Sequence, residues 1–453
     1  DGSLKLMSDS TNNGVDAYGA YERRTWMWQA SDLYFETSAR VYDEAVIFAQ
    51  RWRGAAAGVS AGDKEGLASV FPSFAMPLEN STAPTRGYLQ YEGDMVGSGY
   101  HLGQWDHKAT GVGSGVTDTG PLCIFAADLK TSVVLSPLGA NVMTSSQKYS
   151  GPGTHLSYGL LGSVADVPAG YTLEFVVSVG RGVRPAMLKW GDLLLANSGK
   201  RRDAAWDLDY SLRYLGYMRR AQFGAQLSAR NSAEGHHRLL LLLLRYSTDN
   251  GAFYYYNTVE GKDYEATMLD IASYAKAEGI PYKYWLADSW WYFKDPDGPN
   301  GGGVTNWTAR PDVFPHGLEY VYEQTGWSVQ GHNRFWSNKT TYAIENGGDY
   351  AFLLDAGGYA LPAEQRFWDD LLLSSRVKWG LAVYEQDWLD QEFDNFPPLT
   401  TNATLARTWL SQMATGAARA GLTVQYCMSH CRHVLASAEF PSVTQARASG
   451  DYH

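Results

Sequence analysis

The chain has 453 residues, of which 45% are hydrophobic and 19% charged, a composition typical of a well-filled globular core and unlike that of a disordered chain. Its net charge is −11 at pH 7 and it holds no long run of Lys or Arg, which argues against nucleic acid and anionic membranes as partners. The longest apolar run, Leu239 to Leu244, is too short to cross a bilayer, so we expect no membrane span.

The length favours two large units, and the first is predicted over residues 1–215. Short apolar or alternating runs, such as "EAVIFAQRW", "SVVLSP" and "YTLEFVVSVG", are separated there by Gly, Pro, Asn and Ser turns. This pattern predicts an antiparallel β-sandwich. Residues 216–263 form a predicted linker. Its basic, low-complexity stretch 218–245 is interpreted either as a surface insertion or as sequence from an unspliced or misread gene region, in both cases without a catalytic role.

From residue 264 to residue 453 the pattern changes to alternating helices and strands. The helical "YEATMLDIASYAKAEG" ends on Gly279 and leads into "IPYKYWLADSWW". Further apolar runs follow in "WSVQGHNRFW", "DYAFLLDAGG", "LAVYEQDWLD" and "GLTVQYCMSH". Repeated β-α units of this length predict a (β/α) TIM-type barrel that carries the catalytic site. The sequence stops two residues after Asp451, so we expect a barrel truncated after strand six, incomplete at its C-terminus.

Acidic residues follow the apolar runs of this second unit. Because reactive groups project from the carboxyl ends of barrel strands, four acids are expected at one mouth: Asp288, Asp355, Asp387 and Asp451. Neither a Cys/His metal set nor a phosphate-binding Gly loop accompanies them. Acids beside several Trp residues indicate glycosidic chemistry on a carbohydrate, which needs two carboxyl groups, no metal and no cofactor.

Four motifs occur in a fixed order between about residue 260 and the end of the sequence. They are Asp288-Ser289-Trp290, Phe314-Pro315-His316-Gly317-Leu318, the Asp387 segment "WGLAVYEQDWL", and Arg447-Ala448-Ser449-Gly450-Asp451. Together they resemble the clan of retaining α-glycosidases that includes the α-galactosidases of glycoside hydrolase families 27 and 36. In that clan, Asp-x-Trp ends the first strand and Phe-Pro-x-Gly-Leu opens the next helix.

The resemblance implies a double-displacement mechanism on a terminal α-linked sugar. Asp387, ending strand four, is then the nucleophile, and Asp451, after strand six, is the acid/base, with their carboxyl groups about 5 to 5.5 Å apart. The predicted substrate-binding residues are Asp288, Trp290, Trp291, Glu385, Arg447 and Asp355.

Several alternatives stay open at this stage. Trp290 and Trp291 are as consistent with the core as with a sugar platform, and Asp355 begins an Asp-x-Gly sequence that is common in turns. Glu385 stands where the α-galactosidases have Lys, and Ala287 where they have an acid, so galactose recognition is not settled. A non-catalytic glycan-binding or structural protein, or a transglycosylase, could use the same scaffold.

Four Asn-x-Ser/Thr sequences predict N-linked glycans and a secreted, lysosomal or vacuolar protein; they begin at Asn80, Asn306, Asn338 and Asn402. The absence of an opening signal peptide is compatible with a mature form from which the leader has been removed. Cys427 and Cys431 could form a local disulfide, which would leave Cys123 as an unpaired cysteine.

Overall fold

The computed structural model describes residues 4–75, 86–93, 95, 99–105, 111–117, 119–150, 154–199 and 245–448. Asp451, the sequon at Asn80 and residues 218–244 of the predicted insertion lie outside the described residues. None of the helices among the described residues is long and apolar enough to span a membrane.

The first part of the chain forms two antiparallel sheets. Nine strands form one sheet in the order β1-β2-β3-β4-β12-β9-β8-β6-β7, and three form the other in the order β10-β11-β5. The strands are β1 (Leu4–Asp16), β2 (Gly19–Ala30), β3 (Leu33–Val41), β4 (Ala45–Trp52), β5 (Ser73–Ala75), β6 (Arg86–Glu92), β7 (Gly99–Gln104), β8 (Leu122–Ala126), β9 (Ser132–Leu138), β10 (Ser145–Tyr149), β11 (His155–Leu160) and β12 (Thr172–Gly180).

The alternation of side chains along β12 explains how the large sheet is covered on both faces. Phe175 points to one face, where its ring lies 5.3 Å from that of Tyr158 on β11 of the small sheet. Val176 points to the other face and packs with Ile47 against Trp190 of helix α1 (Val183–Asn197). The predicted antiparallel β unit is therefore present, with one helix added to its outer face.

The second part is built on a parallel sheet of six strands. Their order follows the chain: β13 (Arg245–Tyr246), β14 (Tyr284–Ala287), β17 (Ser328–Asn333), β21 (Leu381–Gln386), β22 (Thr423–Tyr426) and β23 (Val443–Ala446). The accompanying helices are α2 (Tyr264–Ala277), α3 (Gly317–Thr325), α4 (Gln365–Trp379), α5 (Leu389–Asn395), α6 (Pro397–Thr401), α7 (Leu405–Ala420) and α8 (Cys431–Ser437). Strands β17 and β21 are buried along their whole length, as expected for a sheet covered on both faces. This arrangement is a partial α/β barrel.

The structure corrects two predictions, the residue at which the parallel sheet begins and the strand that Asp288 follows. Arg245 and Tyr246 pair in parallel with β14, so the parallel sheet begins before the predicted boundary at residue 264. Asp288 consequently follows the second strand of the sheet rather than the first. Asp387 follows the fourth strand, the position from which the resemblance assigned its role.

A smaller sheet is formed by the segments that follow the carboxyl ends of β14 and β17. It contains β15 (Phe293–Lys294), β16 (Val304–Asn306), β18 (Trp336–Ser337), β19 (Phe352–Leu354) and β20 (Tyr359–Pro362), in the order β15-β16-β18-β20-β19. The run "DYAFLLDAGG" therefore supplies a hairpin strand, because β19 pairs antiparallel with β20. Its placement among the barrel strands is wrong.

The two parts are joined by a buried arginine at the start of α8. Arg432 Nε donates to Val116 O at 2.9 Å, and its Nη1 donates to Met143 O at 2.6 Å and to Ser145 O at 3.0 Å. Because these carbonyls belong to the antiparallel part, a barrel side chain satisfies backbone acceptors of the neighbouring unit.

Candidate active site

Three local features fix the position of Asp387: the end of helix α4, the buried strand β21 and a sharp turn at Trp388. Gly380 ends α4 in the left-handed conformation (φ 69°), which returns the chain to the sheet. Strand β21 runs between β17 and β22, and the Asp387 backbone N–H continues the pairing by donating to Asn333 O at 2.8 Å. Trp388 then adopts φ 59° and ends the extended run. Its N–H donates to Asp387 Oδ1 at 2.8 Å, which fixes one oxygen of the carboxylate.

His332 holds the other carboxylate oxygen of Asp387. Its Nε2 lies 3.0 Å from Asp387 Oδ2, and its Nδ1 lies 2.9 Å from the Tyr292 hydroxyl. Burial opposes the protonation of this ring, but the neighbouring Asp288 and Asp387 carboxylates outweigh it and raise the pKa of His332 to about 9. The imidazole is therefore a cation at neutral pH, donating from both nitrogens.

This cation keeps Asp387 ionised in spite of its buried position. Burial alone raises the pKa of the carboxyl group, whereas the hydrogen bond and charge of His332 lower it, and the net pKa of Asp387 is below its ordinary value. The Cys427 thiol and the Trp388 N–H, which donate to the same carboxylate, act in the same direction. An ionised, oriented carboxylate at the end of a barrel strand has the properties of a nucleophile.

Asp288 is a second carboxyl group at this end of the sheet. It is almost fully buried, and its Oδ1 accepts the backbone N–H of Ser289 at 2.5 Å. Burial raises its pKa, against the opposing charge of His332. Because His332 interacts with both Asp288 and Asp387, the structure brings these two predicted site residues together around one imidazole.

Glu385 faces the barrel interior on the same side of β21 as Asp387, two residues away. Its Oε2 accepts from Gln330 Nε2 at 2.7 Å and its Oε1 from Gln425 Nε2 at 3.1 Å. Burial raises the pKa of Glu385 to about 7. The carboxyl group is thus held by two amides from neighbouring strands, in a layer below the mouth.

Arg447 lies at the same mouth, immediately after β23. Its Nη1 is 3.0 Å from Asp249 Oδ2 and 3.9 Å from Cys427 Sγ. Asp249 follows β13 and was not identified from the sequence, because that two-residue strand directly follows the low-complexity stretch. Cys427 follows β22, and it was considered only as a disulfide partner. In the structure Cys427 and Cys431 are buried and form no disulfide with each other.

The predicted tryptophan platform is corrected by the structure. Trp290 stacks on Tyr264 with ring centroids 3.6 Å apart, and Trp291 contacts Trp307 edge to face at 5.1 Å. Both indoles are buried in the hydrophobic core and lack an open face for a sugar. The aromatic residues after β14 therefore pack the barrel wall, which was the other interpretation of these side chains.

Asp355 follows a strand of the small sheet and closes its hairpin. The Asp355 N–H donates to Tyr359 O at 3.0 Å, and Asp355 Oδ1 accepts the Tyr359 N–H at 3.2 Å. Its placement at the end of a barrel strand is wrong, because a short apolar run does not specify which sheet it joins.

The described residues contain no group of three or more His, Cys, Asp or Glu side chains arranged to hold a metal ion. His332 is a residue of this site that was not among the residues predicted from the sequence. It ends "WSVQGH" one strand away from Asp387, and its position at the end of a buried parallel strand is the signal by which it could have been found.

Comparison with known proteins gives similarity at the level of structure. No protein-family model matches the sequence, and no curated protein matches it. The chain is similar to the α-galactosidase from Lactobacillus brevis, with a TM-score of 0.56 and 11% identity, over 99% of this chain and 61% of that one. It is also similar to the α-N-acetylgalactosaminidase NagBb from Bifidobacterium bifidum in its GalNAc complex, with a TM-score of 0.51 and 11% identity, over 97% of this chain and 70% of that one.

These similarities concern the fold. The chain spans about three fifths of the length of the Lactobacillus enzyme, and at such identities the shared feature is the architecture of antiparallel sheets followed by a partial parallel barrel. The antiparallel sheets and the partial parallel barrel fit the glycosidase fold that the resemblance predicted.

Proposed function

We propose that the protein is a retaining α-glycoside hydrolase, similar to the α-galactosidases, which cleaves a terminal α-linked sugar by double displacement. The observation that carries the proposal is the Asp387 carboxylate, which ends the fourth parallel strand and is kept ionised by a buried His332 cation. The shared fold with an α-galactosidase and an α-N-acetylgalactosaminidase supports the same reaction class.

In the proposed mechanism, Asp387 attacks the anomeric carbon while a carboxylic acid protonates the leaving oxygen. The acid then acts as a base on the water that releases the sugar from Asp387. The motif assigns this second role to Asp451. Its carboxyl group must come within about 5 to 5.5 Å of Asp387 for retention of configuration.

The groups around Asp387 also suggest how the sugar is held. Asp288 can accept hydrogen bonds from sugar hydroxyls, and Arg447 can donate to them. Glu385 is held by Gln330 and Gln425, and both nitrogens of His332 are held by Asp387 and Tyr292. The proposal therefore assigns the cationic contact with the sugar to Arg447. A galactose-like sugar is the first substrate to test.

Replacing Asp387 tests the proposal. Asp387→Asn removes the nucleophile while keeping the size of the side chain, so we expect hydrolysis of aryl α-glycosides to fall by about 10⁴-fold or more. Asp369→Asn is the matched control, since Asp369 pairs with Arg419 between the outer helices α4 and α7. NMR of the first product should show the α-anomer. Undiminished turnover in the Asp387 variant, or a β-anomeric first product, refutes the assignment.

Two further assays of the same protein distinguish the proposed hydrolase from the two alternative functions. Binding of the chain to a glycan array without hydrolysis of any aryl α-glycoside would favour a glycan-binding protein. Transfer of the sugar to an added sugar acceptor, in preference to water, would favour a transglycosylase.

A further inference from the structure

A loop rich in aromatic residues follows the first strand of the parallel sheet, at the end of the barrel where the proposed site lies. Residues 251–257 read Gly-Ala-Phe-Tyr-Tyr-Tyr-Asn, and two of these aromatic residues face solvent: Phe253 is 78% exposed and Tyr256 is 53% exposed. A single exposed aromatic side chain is ordinary on a protein surface. Two of them within four residues form an aromatic surface, of the kind that contacts ligands.

Tyr256 is held in an unfavourable backbone conformation. Its φ is 49°, in the left-handed region that bulky residues rarely adopt. The loop is fixed on either side by the Tyr264 hydroxyl, which accepts the Asn257 N–H at 2.8 Å and donates to Tyr254 O at 2.9 Å. Tyr264 is in turn stacked on the buried Trp290. Strain that is enforced by the core in this way is concentrated at binding and catalytic sites.

The hydroxyl of Tyr256 is fixed by hydrogen bonds, while more than half of the residue remains exposed. It donates to Ser289 O at 3.2 Å, lies 2.9 Å from Ser289 Oγ, and accepts from Lys294 Nζ at 2.7 Å. Because Ser289 directly follows Asp288, these contacts place the ring beside a carboxyl group of the site. A ring that is fixed at one end and exposed at its surface is preorganised to stack on a ligand.

The electrostatic environment of Tyr292 also links Tyr256 to the proposed nucleophile. Burial raises the pKa of the Tyr292 hydroxyl well above its usual value, and the charges of Asp288, Tyr256 and Asp387 raise it further. These three acidic groups therefore lie around one buried hydroxyl, which itself contacts His332.

The exposure of these groups orders them from the inside of the mouth to the outside. Asp288 is 4% exposed and the Asp387 side chain 13%, against 53% for Tyr256. An enzyme that removes a terminal sugar receives that sugar first, so the cleaved sugar lies innermost, against the carboxylates. The leaving group stays nearer to solvent, at the level of the Tyr256 ring.

On the basis of the proposed function, we propose that Tyr256 is the platform of the leaving-group subsite, on which the sugar residue next to the cleaved one stacks. Lys294 has three N–H donors, of which one is given to the Tyr256 hydroxyl, and it donates to a hydroxyl of the same sugar residue. The preferred substrates are therefore oligosaccharides or glycans that carry a sugar ring on the far side of the cleaved bond.

Two substitutions at position 256 of the full chain test this subsite. Tyr256→Asn removes the ring and keeps a residue that tolerates the left-handed conformation. It should lower kcat/KM on a disaccharide with a terminal α-linked galactose by about 3- to 10-fold, the value of one aromatic stacking contact. Tyr256→Phe keeps the ring and should recover most of that loss.

A substrate with a one-atom leaving group distinguishes stacking from a structural role. On α-galactosyl fluoride, which presents no ring to the leaving-group subsite, Tyr256→Asn should have the kcat/KM of the wild type. Tyr274→Ala is the matched control, because Tyr274 is a tyrosine of helix α2 that is 64% exposed. It should leave kcat/KM on both substrates unchanged.

The outcomes separate this subsite from the proposed function. A wild-type chain that hydrolyses neither substrate, and is not labelled at Asp387 by a 2-deoxy-2-fluoro glycoside, overturns the proposed function and the subsite with it. An active wild type combined with full activity of Tyr256→Asn on the disaccharide overturns the subsite alone. An equal loss of Tyr256→Asn on the disaccharide and the fluoride does so too, as does a Tyr256→Phe variant that folds but is no more active than Tyr256→Asn.

Discussion

The His332 imidazole lies with Nε2 3.0 Å from Asp387 Oδ2 and with Nδ1 2.9 Å from the Tyr292 hydroxyl, and the charges of Asp288 and Asp387 both raise its pKa. Such a ring links protonation to folding, because its cation is more stable in the folded chain than in the unfolded one. The pKa of His332 rises from its ordinary 6.5 to about 9, and a displacement of this size corresponds to about 3 kcal/mol. That contribution is fully present below pH 6.5 and is lost as the pH rises through 9.

Substituting this ring should therefore reduce stability in a pH-dependent way. We expect His332→Gln to lower the free energy of unfolding of the barrel at pH 6, and to lower it by about 3 kcal/mol less at pH 10. Urea titrations followed by tryptophan fluorescence give both values. His316→Gln is the control, because His316 also pairs with a carboxylate, that of Glu265, but its side chain is 70% exposed. An equal loss at both pH values for His332→Gln would contradict the interpretation.

The sequence was sufficient to predict that Asp387 lies at the end of a barrel strand, but not which side chains contact it. Asp387 could be placed because an apolar run ending in an acid indicates the carboxyl end of a barrel strand. The side-chain partners of Asp387 come from two other strand ends, at His332 and Cys427. Only the folded sheet shows that their side chains converge.

At the scale of helices and strands, periodicity was informative where elements were long. The apolar positions of α4 and α7 occur at helical spacing in the sequence, and Phe367, Trp368, Leu371 and Trp409 are buried. Short strands carry too few residues to show which sheet they join. For this reason β13 was missed and β19 was taken for a barrel strand.

The contact between α4 and α7 supplies a test at this scale. A Cβ atom at Gly416 on α7 would lie 2.8 Å from Trp368 Cβ and 2.9 Å from the Trp368 carbonyl carbon. We expect Gly416→Ala to destabilise the chain by about 1 to 3 kcal/mol through overpacking, although Ala is favoured over Gly in a helix by about 1 kcal/mol. Thr415→Ala, one residue earlier, should be neutral or stabilising. Thermal denaturation compares the two, and a stabilised Gly416→Ala variant would show that the helices can separate without cost.

At the scale of the whole molecule, a short segment of the barrel part contacts both the proposed active site and the antiparallel part. Cys427, which contacts Asp387, and Arg432, which is inserted among carbonyls of the antiparallel part, are five residues apart in the chain. Between them His430 Nε2 lies 3.1 Å from Asp394 Oδ2 on α5, the helix that follows Asp387. The position of the Cys427 thiol therefore depends on how the two parts are joined.

Removing the Arg432 guanidinium should both uncouple the unfolding of the two parts and lower the activity of the proposed site. Arg432→Met keeps much of the side-chain volume but leaves Val116 O, Met143 O and Ser145 O without this donor, at a cost of about 1 to 3 kcal/mol for each group left unsatisfied. We expect one cooperative thermal transition to become two, and kcat on an aryl α-glycoside to fall further than in Gly416→Ala, which perturbs only the barrel helices. Arg419→Met is the control, because Arg419 pairs with Asp369 between outer helices of the barrel part. A single transition with unchanged kcat in Arg432→Met would show that the antiparallel part does not support the Cys427 segment.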